Sequence, residues 1–319
     1  MADIYKQVIG HHNFYVNLVG GSSLERKFDL YMYEPDMGIN EDTGILLFIT
    51  GFGAHSNNNV YKKMRREFAN KYNLLTVQCD YFGWEFMQSE VKEETVYNFC
   101  DMSFLQTMDN IYATLYAIDY ALSKNKKINM KKIIIYGDSH GAYLAHLCNL
   151  YSGIYTHILD NSSWIYPVYL IGYRNITING IDKNFKYMAR EFIGNTKLID
   201  IGFLYTYLEN NCCIKLYHGI DDTLVLFEDK ERVFGDGKVN FAEIIKISQP
   251  DNEVFFSTEH SLDVNYLKLF DLFYNSVSFE KGDKINIVDA IIFENDGLIL
   301  KIDYTNLFPV LNFINVNDK

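Results

Sequence analysis

The sequence predicts an α/β fold: a doubly wound, mostly parallel sheet with helices on both faces. Three observations carry that expectation. Short, continuous apolar runs at 45–49, 74–78, 133–136, 155–159 and 214–217 read as strands covered on both sides. Helical stretches separate them, the clearest placing Ile111, Leu115, Ile118 and Leu122 on one stripe. Finally, the run Ile133–Tyr136 passes through Gly137-Asp138-Ser139-His140-Gly141 straight into a helical period of Leu144, Leu147, Cys148 and Tyr151. Ligand sites of such sheets lie beyond the carboxyl ends of the strands.

In chain order, Phe28–Tyr33 alternates, with Phe28, Leu30 and Met32 on one face, and reads as an edge or antiparallel strand. The strands at 45–49 and 74–78 follow, then the helix around 111–122 and the strand–turn–helix at 133–151. Residues 163–210 are longer than a crossover needs and read as a helical cap insertion. The run 214–217 continues the sheet, and Glu253–Ser257 reads as its last strand. The main domain thus spans 1–275. The segment 276–319 reads as a C-terminal β-hairpin extension, with strand-like runs at 285–287, 290–293 and 298–302 and a hairpin turn at Glu294-Asn295-Asp296-Gly297. It suits either an added sheet edge or an oligomer contact.

Composition narrows the function. The 319 residues suit one large domain, and no linker, repeat or low-complexity tract divides them. A formal charge of −12, spread along the chain, argues against nucleic acid as a partner. The basic cluster Lys124–Lys127 with Lys131–Lys132 reads as a solvated loop. No apolar segment is long enough for a signal peptide or a membrane span, so the expected location is cytoplasmic. Five cysteines, Cys79, Cys100, Cys148, Cys212 and Cys213, form no metal-binding spacing and read as reduced thiols. Neither a metal nor another cofactor is expected.

The turn Gly137-Asp138-Ser139-His140-Gly141 makes Ser139 the candidate nucleophile. A serine at such a corner is forced into a strained turn with its hydroxyl exposed, and the glycines leave room for close backbones. A serine hydroxyl reacts only when a base takes its proton and a third group orients that base. The loop His218-Gly219-Ile220-Asp221-Asp222, after the strand at 214–217, supplies a carboxylate: Asp222 first, with Asp221 and Asp160 as alternatives. His260, after the strand at 253–257, is the only histidine beyond Asp222. Acyl transfer also needs donors for a developing oxyanion. The backbone N–H groups of His140 and of Phe52, between Gly51 and Gly53 in the loop after the strand at 45–49, suit that role. Trp84 and Trp164 offer aromatic planes to a substrate, for sugar rings or acyl chains alike.

Taken together, the Gly137–Gly141 turn, the Gly51-Phe52-Gly53 loop, Asp222 and His260 resemble the α/β-hydrolase superfamily over residues ~28–275. The acid position matches its His-Gly-x-x-Asp pattern. The Gly-Phe-Gly turn is similar to the His-Gly-Phe-Gly loop of lipases and esterases, with Thr50 in place of the histidine. The phrases Ile158–Trp164 and Phe255–Leu262 resemble a poorly characterised bacterial family found in flagellar or surface-glycan settings. The resemblance implies a serine esterase acting on a small-molecule or glycan ester, such as a carbohydrate O-deacetylase. Two other readings stand beside it: an O-acyltransferase to a sugar hydroxyl with the same triad, and a non-catalytic binding protein on the same fold.

Overall fold

The computed structural model describes residues 3–22, 25–89, 93–178, 181–285 and 287–315. Its strands in chain order are β1 (Ile4–Ile9), β2 (Lys27–Tyr33), β3 (Gly44–Ile49), β4 (Leu74–Cys79), β5 (Ile133–Asp138), β6 (His157–Asn161), β7 (Arg174–Ile178), β8 (Ile181–Phe185), β9 (Cys213–Gly219), β10 (Ala242–Ile247), β11 (Ala290–Asn295), β12 (Leu298–Asp303) and β13 (Val310–Asn315). Eight of them form one sheet in the order β1-β2-β4-β3-β5-β6-β9-β10. The pairings from β4 to β10 are parallel, whereas β2 runs antiparallel to both β1 and β4.

Side-chain alternation divides the core between the two faces of this sheet. Ile133 and Ile135 of β5, with Ile45 and Leu47 of β3, pack under the helices Phe104–Ser123 and His140–Ser152. Ile134 and Tyr136, with Leu46 and Phe48, pack against the helices Asn59–Tyr72 and Tyr266–Ser276. Ser139 therefore stands at the carboxyl end of a central strand that is covered on both sides. Ile111, Leu115 and Ile118 are buried as expected, but at the last turn Ala121 takes the buried position and Leu122 is 50% exposed.

Several elements differ from the sequence reading. The last sheet strand is β10, not 253–257. Its sequence Ala-Glu-Ile-Ile-Lys-Ile lies at the sheet edge and is only partly buried, so it lacks the continuous apolar run of the inner strands. At 253–257 the chain makes only an isolated bridge, Phe255 to Val264. It is held instead by the Asp251 carboxylate, which accepts from the N–H groups of Glu253, Val254 and Phe255. The insertion at 163–210 combines short helical turns with a hairpin, β7–β8, so it is not helical throughout.

The C-terminal hairpin turn is present, with Asp296 and Gly297 at φ 50° and 78° between β11 and β12. A third strand, β13, completes a separate antiparallel sheet, while Ile285 and Ile287 lie outside any strand and Asn286 outside the described residues. This small sheet does not extend the main one. Phe293, Leu300, Ile302 and Leu311 join the core on the Phe104–Ser123 side, and the Tyr304 hydroxyl donates to the Tyr151 carbonyl at 2.6 Å. No helix among the described residues is long and apolar enough to cross a membrane.

One buried ion pair ties the N-terminal segment to the sheet. Arg26 Nη1 donates to Asp109 Oδ2 at 2.8 Å, Nη2 meets Oδ1, and the Phe82 N–H adds a third donor at 2.9 Å. Asp109 is fully buried. Removing one partner leaves the other charge buried and uncompensated, so Asp109→Ala is expected to cost about 3–5 kcal/mol. A urea titration of the two proteins reads this directly; a loss below about 1 kcal/mol would show the pair to be dispensable.

Candidate active site

The turn after β5 is shaped by its two glycines. A Cβ on Gly137 would lie 2.3 Å from the Ala142 Cα, and one on Gly141 2.3 Å from the Ile49 carbonyl oxygen. Only glycine lets the helix leave so close to β3 and β5. Between them Ser139 adopts φ 53° and ψ −117°, a strained conformation for a side-chain-bearing residue. It is held there from both sides: its N–H donates to the Asn161 carbonyl at 2.8 Å, and its own carbonyl accepts from Ala142 and Tyr143 at the start of the helix.

Ser139 Oγ lies 2.7 Å from His260 Nε2, and His260 Nδ1 lies 2.7 Å from Asp222 Oδ2. The carboxylate can only accept, so Nδ1 carries the ring proton and Nε2 is left to accept from the serine hydroxyl. The other Asp222 oxygen, Oδ1, accepts from the N–H groups of Leu224 and Val225, each at 2.9 Å. Burial opposes ionisation of Asp222, but His260 and the Val225 N–H hold its carboxyl below the ordinary range. His218 supports the same loop, its Nε2–H donating to the Val225 carbonyl at 2.8 Å.

The two alternative acids point elsewhere. Asp221 accepts from the Thr258 hydroxyl at 2.6 Å. Asp160 sits in a buried cluster with Lys230 Nζ at 3.1 Å, His146 Nε2 at 3.0 Å and the Ser163 hydroxyl at 2.6 Å. Burial disfavours its charge, yet Lys230 and His146 hold its carboxyl well below the usual range.

The histidine arrives on a tightly folded loop. Ser261, Leu262 and Asp263 all have positive φ, 63°, 60° and 44°. The Leu262 carbonyl accepts from Phe256 and Ser257, and Asn161 Nδ2 donates to the Ser261 carbonyl at 3.1 Å. The same Nδ2 donates to Asp138 Oδ1 at 2.7 Å, while Tyr266 donates to Oδ2 at 3.1 Å. Asn161 thus joins the Ser139 turn to the His260 loop. Burial pushes the Asp138 carboxyl up to about 6. A carboxyl raised in the folded state binds more protons there than when unfolded, so it subtracts stability as pH rises from about 4 to 6. Asp138→Asn should therefore gain on the wild type across that window, by up to about 3 kcal/mol. Urea midpoints at pH 4 and 6.5 measure it, and an unchanged difference would refute the assignment.

The loop Gly51-Phe52-Gly53 lies against Ser139, where a Cβ on Gly51 would come within 3.1 Å of Asp138 Oδ2 and 3.6 Å of the Ser139 Cβ. Neither the Phe52 nor the His140 N–H joins the protein's own backbone pairing among the described residues. The bracing lost by having Thr50 in the histidine position comes from other groups. The Tyr81 hydroxyl donates to the Thr50 carbonyl at 3.1 Å, Thr50 Oγ1 to the Ala54 carbonyl at 3.3 Å, and Gln88 Nε2 to the Gly53 carbonyl. The His140 ring is buried and donates from Nε2 to Gln106 Oε1 at 2.7 Å. Burial first, and then the charge of Arg174, drives its proton affinity down to about 3, so the ring stays neutral.

Of the two tryptophans expected at the substrate, Trp84 opens the short helix Trp84–Gln88 beside this loop, its ring 6.1 Å from that of His55. Trp164, at the start of the insertion, is only 3% exposed and packs against the rings of His140, Tyr143 and Tyr169. A hollow of about 500 Å³ lined by Asn149, Ser152, Leu208, Asn210 and Ile291 lies at the other end of the helix His140–Ser152, about 18 Å from Ser139 by helix rise. The roles of Gln106, Asn161 and Tyr266 were not anticipated, each being a lone polar residue whose partner is distant in sequence; Asn161 ends β6. Tyr81 stands in the segment 81–84, after the strand at 74–78, which the sequence places at the rim of the site.

No protein-family model matches the chain, and no curated protein matches it in sequence. Solved structures do. Esterase 2 of Thermogutta terrifontis, phosphonylated by sarin, superposes with a TM-score of 0.53 at 14% identity, over 78% of this chain and 88% of that one. Est1E of Butyrivibrio proteoclasticus gives 0.50 at 15% identity, over 78% and 93%. The acylaminoacyl peptidase of Pyrococcus horikoshii gives 0.57 at 14% identity, over 90% of this chain but only 43% of that one, so the chain spans less than half of the peptidase. The fold is the α/β-hydrolase fold, shared with serine esterases and peptidases.

Proposed function

We propose that the protein is a serine-dependent carboxylic ester hydrolase whose triad is Ser139, His260 and Asp222. The observation that carries this is the unbroken relay of two 2.7 Å contacts from a strained serine through one imidazole to a buried carboxylate. In the first step Ser139 Oγ bonds to the ester carbonyl carbon as His260 Nε2 takes the hydroxyl proton. Charge gathers on the carbonyl oxygen, which the Phe52 and His140 N–H groups are placed to receive. Collapse breaks the bond to the alcohol oxygen, which leaves with the proton from Nε2. Water, deprotonated by the same nitrogen, then releases the acid and restores the serine. Asp222 holds the Nδ1–H tautomer and stabilises the imidazolium at each stage.

The resemblance to a glycan-associated family, together with half-buried aromatic side chains around the loop, supports an acyl group on a carbohydrate as the substrate. Incubating the protein with 4-nitrophenyl acetate and with O-acetylated sugars, and measuring released acetate, tests both levels. Ser139-dependent acetate release is expected. Release from the activated ester alone would remove the carbohydrate reading, and no release from folded protein would remove the hydrolase. Acetylated acceptor in place of free acetate would instead identify an O-acyltransferase using the same acyl-enzyme.

A further inference from the structure

Arg174 opens β7 in the inserted segment, and its guanidinium carbon lies 4.5 Å from the centre of the Phe52 ring and 5.2 Å from that of Tyr169. Phe52 belongs to the loop beside Ser139, and its ring is 6.3 Å from that of His140. Resting on the ester-hydrolase reading, we infer that Arg174 anchors a carboxylate on the substrate, making it a specificity-determining residue for an anionic ester.

Nη1 of Arg174 donates to the Tyr187 hydroxyl at 2.9 Å, and Tyr187 is buried. That bond and the two aromatic faces fix the plane of the guanidinium. The Nε–Nη2 edge remains, and its parallel N–H groups match the two oxygens of a carboxylate. Arg26, Arg65, Arg66 and Arg232 each meet an Asp or Glu, whereas among the described residues no acid pairs with Arg174 or with Arg190, and of these two only Arg174 lies against the loop beside Ser139. What distinguishes Arg174 from the similarly half-buried Arg190 is its place, with its guanidinium packed on the Phe52 ring of the loop beside Ser139. Its charge also reaches the site, contributing to the low proton affinity of His140.

Two matched pairs of esters test this. 4-Acetoxybenzoate and its methyl ester place the carboxylate on the alcohol side; mono-4-nitrophenyl glutarate and 4-nitrophenyl pentanoate place it on the acyl side. In one pair the wild type is expected to favour the anionic member in kcat/KM by roughly 10- to 100-fold. The ratio should shrink with added KCl. Arg174→Gln should bring it close to one, and Arg174→Lys should keep part of it. No preference in either pair, or an equal fall for both members with the ratio intact, would overturn the inference and leave Arg174 as a brace for the loop. If no ester is turned over at all, the hydrolase reading fails separately. Calorimetric binding of 4-hydroxybenzoate and glutarate to wild type and Arg174→Gln then decides the anchor: Arg174-dependent binding supports it, and equal or absent binding removes it.

Discussion

Replacing Ser139 with alanine, or His260 with glutamine, is expected to lower kcat for an ester substrate by roughly 10⁴- to 10⁶-fold while the fold stays intact. The two groups act as one unit: without the imidazole the hydroxyl keeps its proton, and without the hydroxyl there is nothing to activate. The double variant should therefore be no worse than either single one. Both side chains lie at the end of the sheet rather than in its core, with His260 about one-fifth exposed, so melting temperatures should change little. KM should also stay near its wild-type value, because neither change removes a surface that binds the ground state. Initial rates with 4-nitrophenyl acetate, beside circular dichroism of each variant, check the prediction. Additive losses in the double variant would show that serine and histidine work independently.

Asp222→Asn is expected to lower kcat by about 10⁴-fold, although the substitution is isosteric. The local donors explain why. Oδ1 already accepts from the Leu224 and Val225 N–H groups, so the amide oxygen of the new side chain must take that place. The NH₂ group then faces His260 Nδ1, 2.7 Å away in the wild type. Two donors cannot share one hydrogen bond, so the ring proton moves to Nε2, where it faces the Ser139 hydroxyl and cannot accept from it. A loss of ten-fold or less would mean that Asp222 serves packing rather than the tautomer.

The strand–turn–helix at Ser139 was legible because strand, glycines and helix are adjacent in the chain, and each signal is local. His260 was legible by elimination, since no later histidine competes. The carboxylate that meets the ring was legible only as a choice among Asp222, Asp221 and Asp160; Asp221 and Asp222 are neighbours, and which of them meets the ring depends on a loop conformation set by the N–H groups of Leu224 and Val225. The inner strands announced themselves through burial on both faces. The half-exposed edge strand β10 did not, because its charged residues break the apolar run. The separate C-terminal sheet was hidden for another reason: where its hairpin packs depends on contacts such as Tyr304 to Tyr151, 153 residues apart. Arg174 carried no sequence signal, since its importance comes from a fold-back onto Phe52.

The central claim is that Ser139 is an activated nucleophile. Treating the folded protein with a fluorophosphonate and mapping the adduct by peptide mass spectrometry tests it most directly. The account predicts a single covalent adduct on Ser139, absent in Ser139→Ala and much slower to form in His260→Gln. An adduct on another residue, or an unmodified Ser139 in protein shown to be folded, would contradict it.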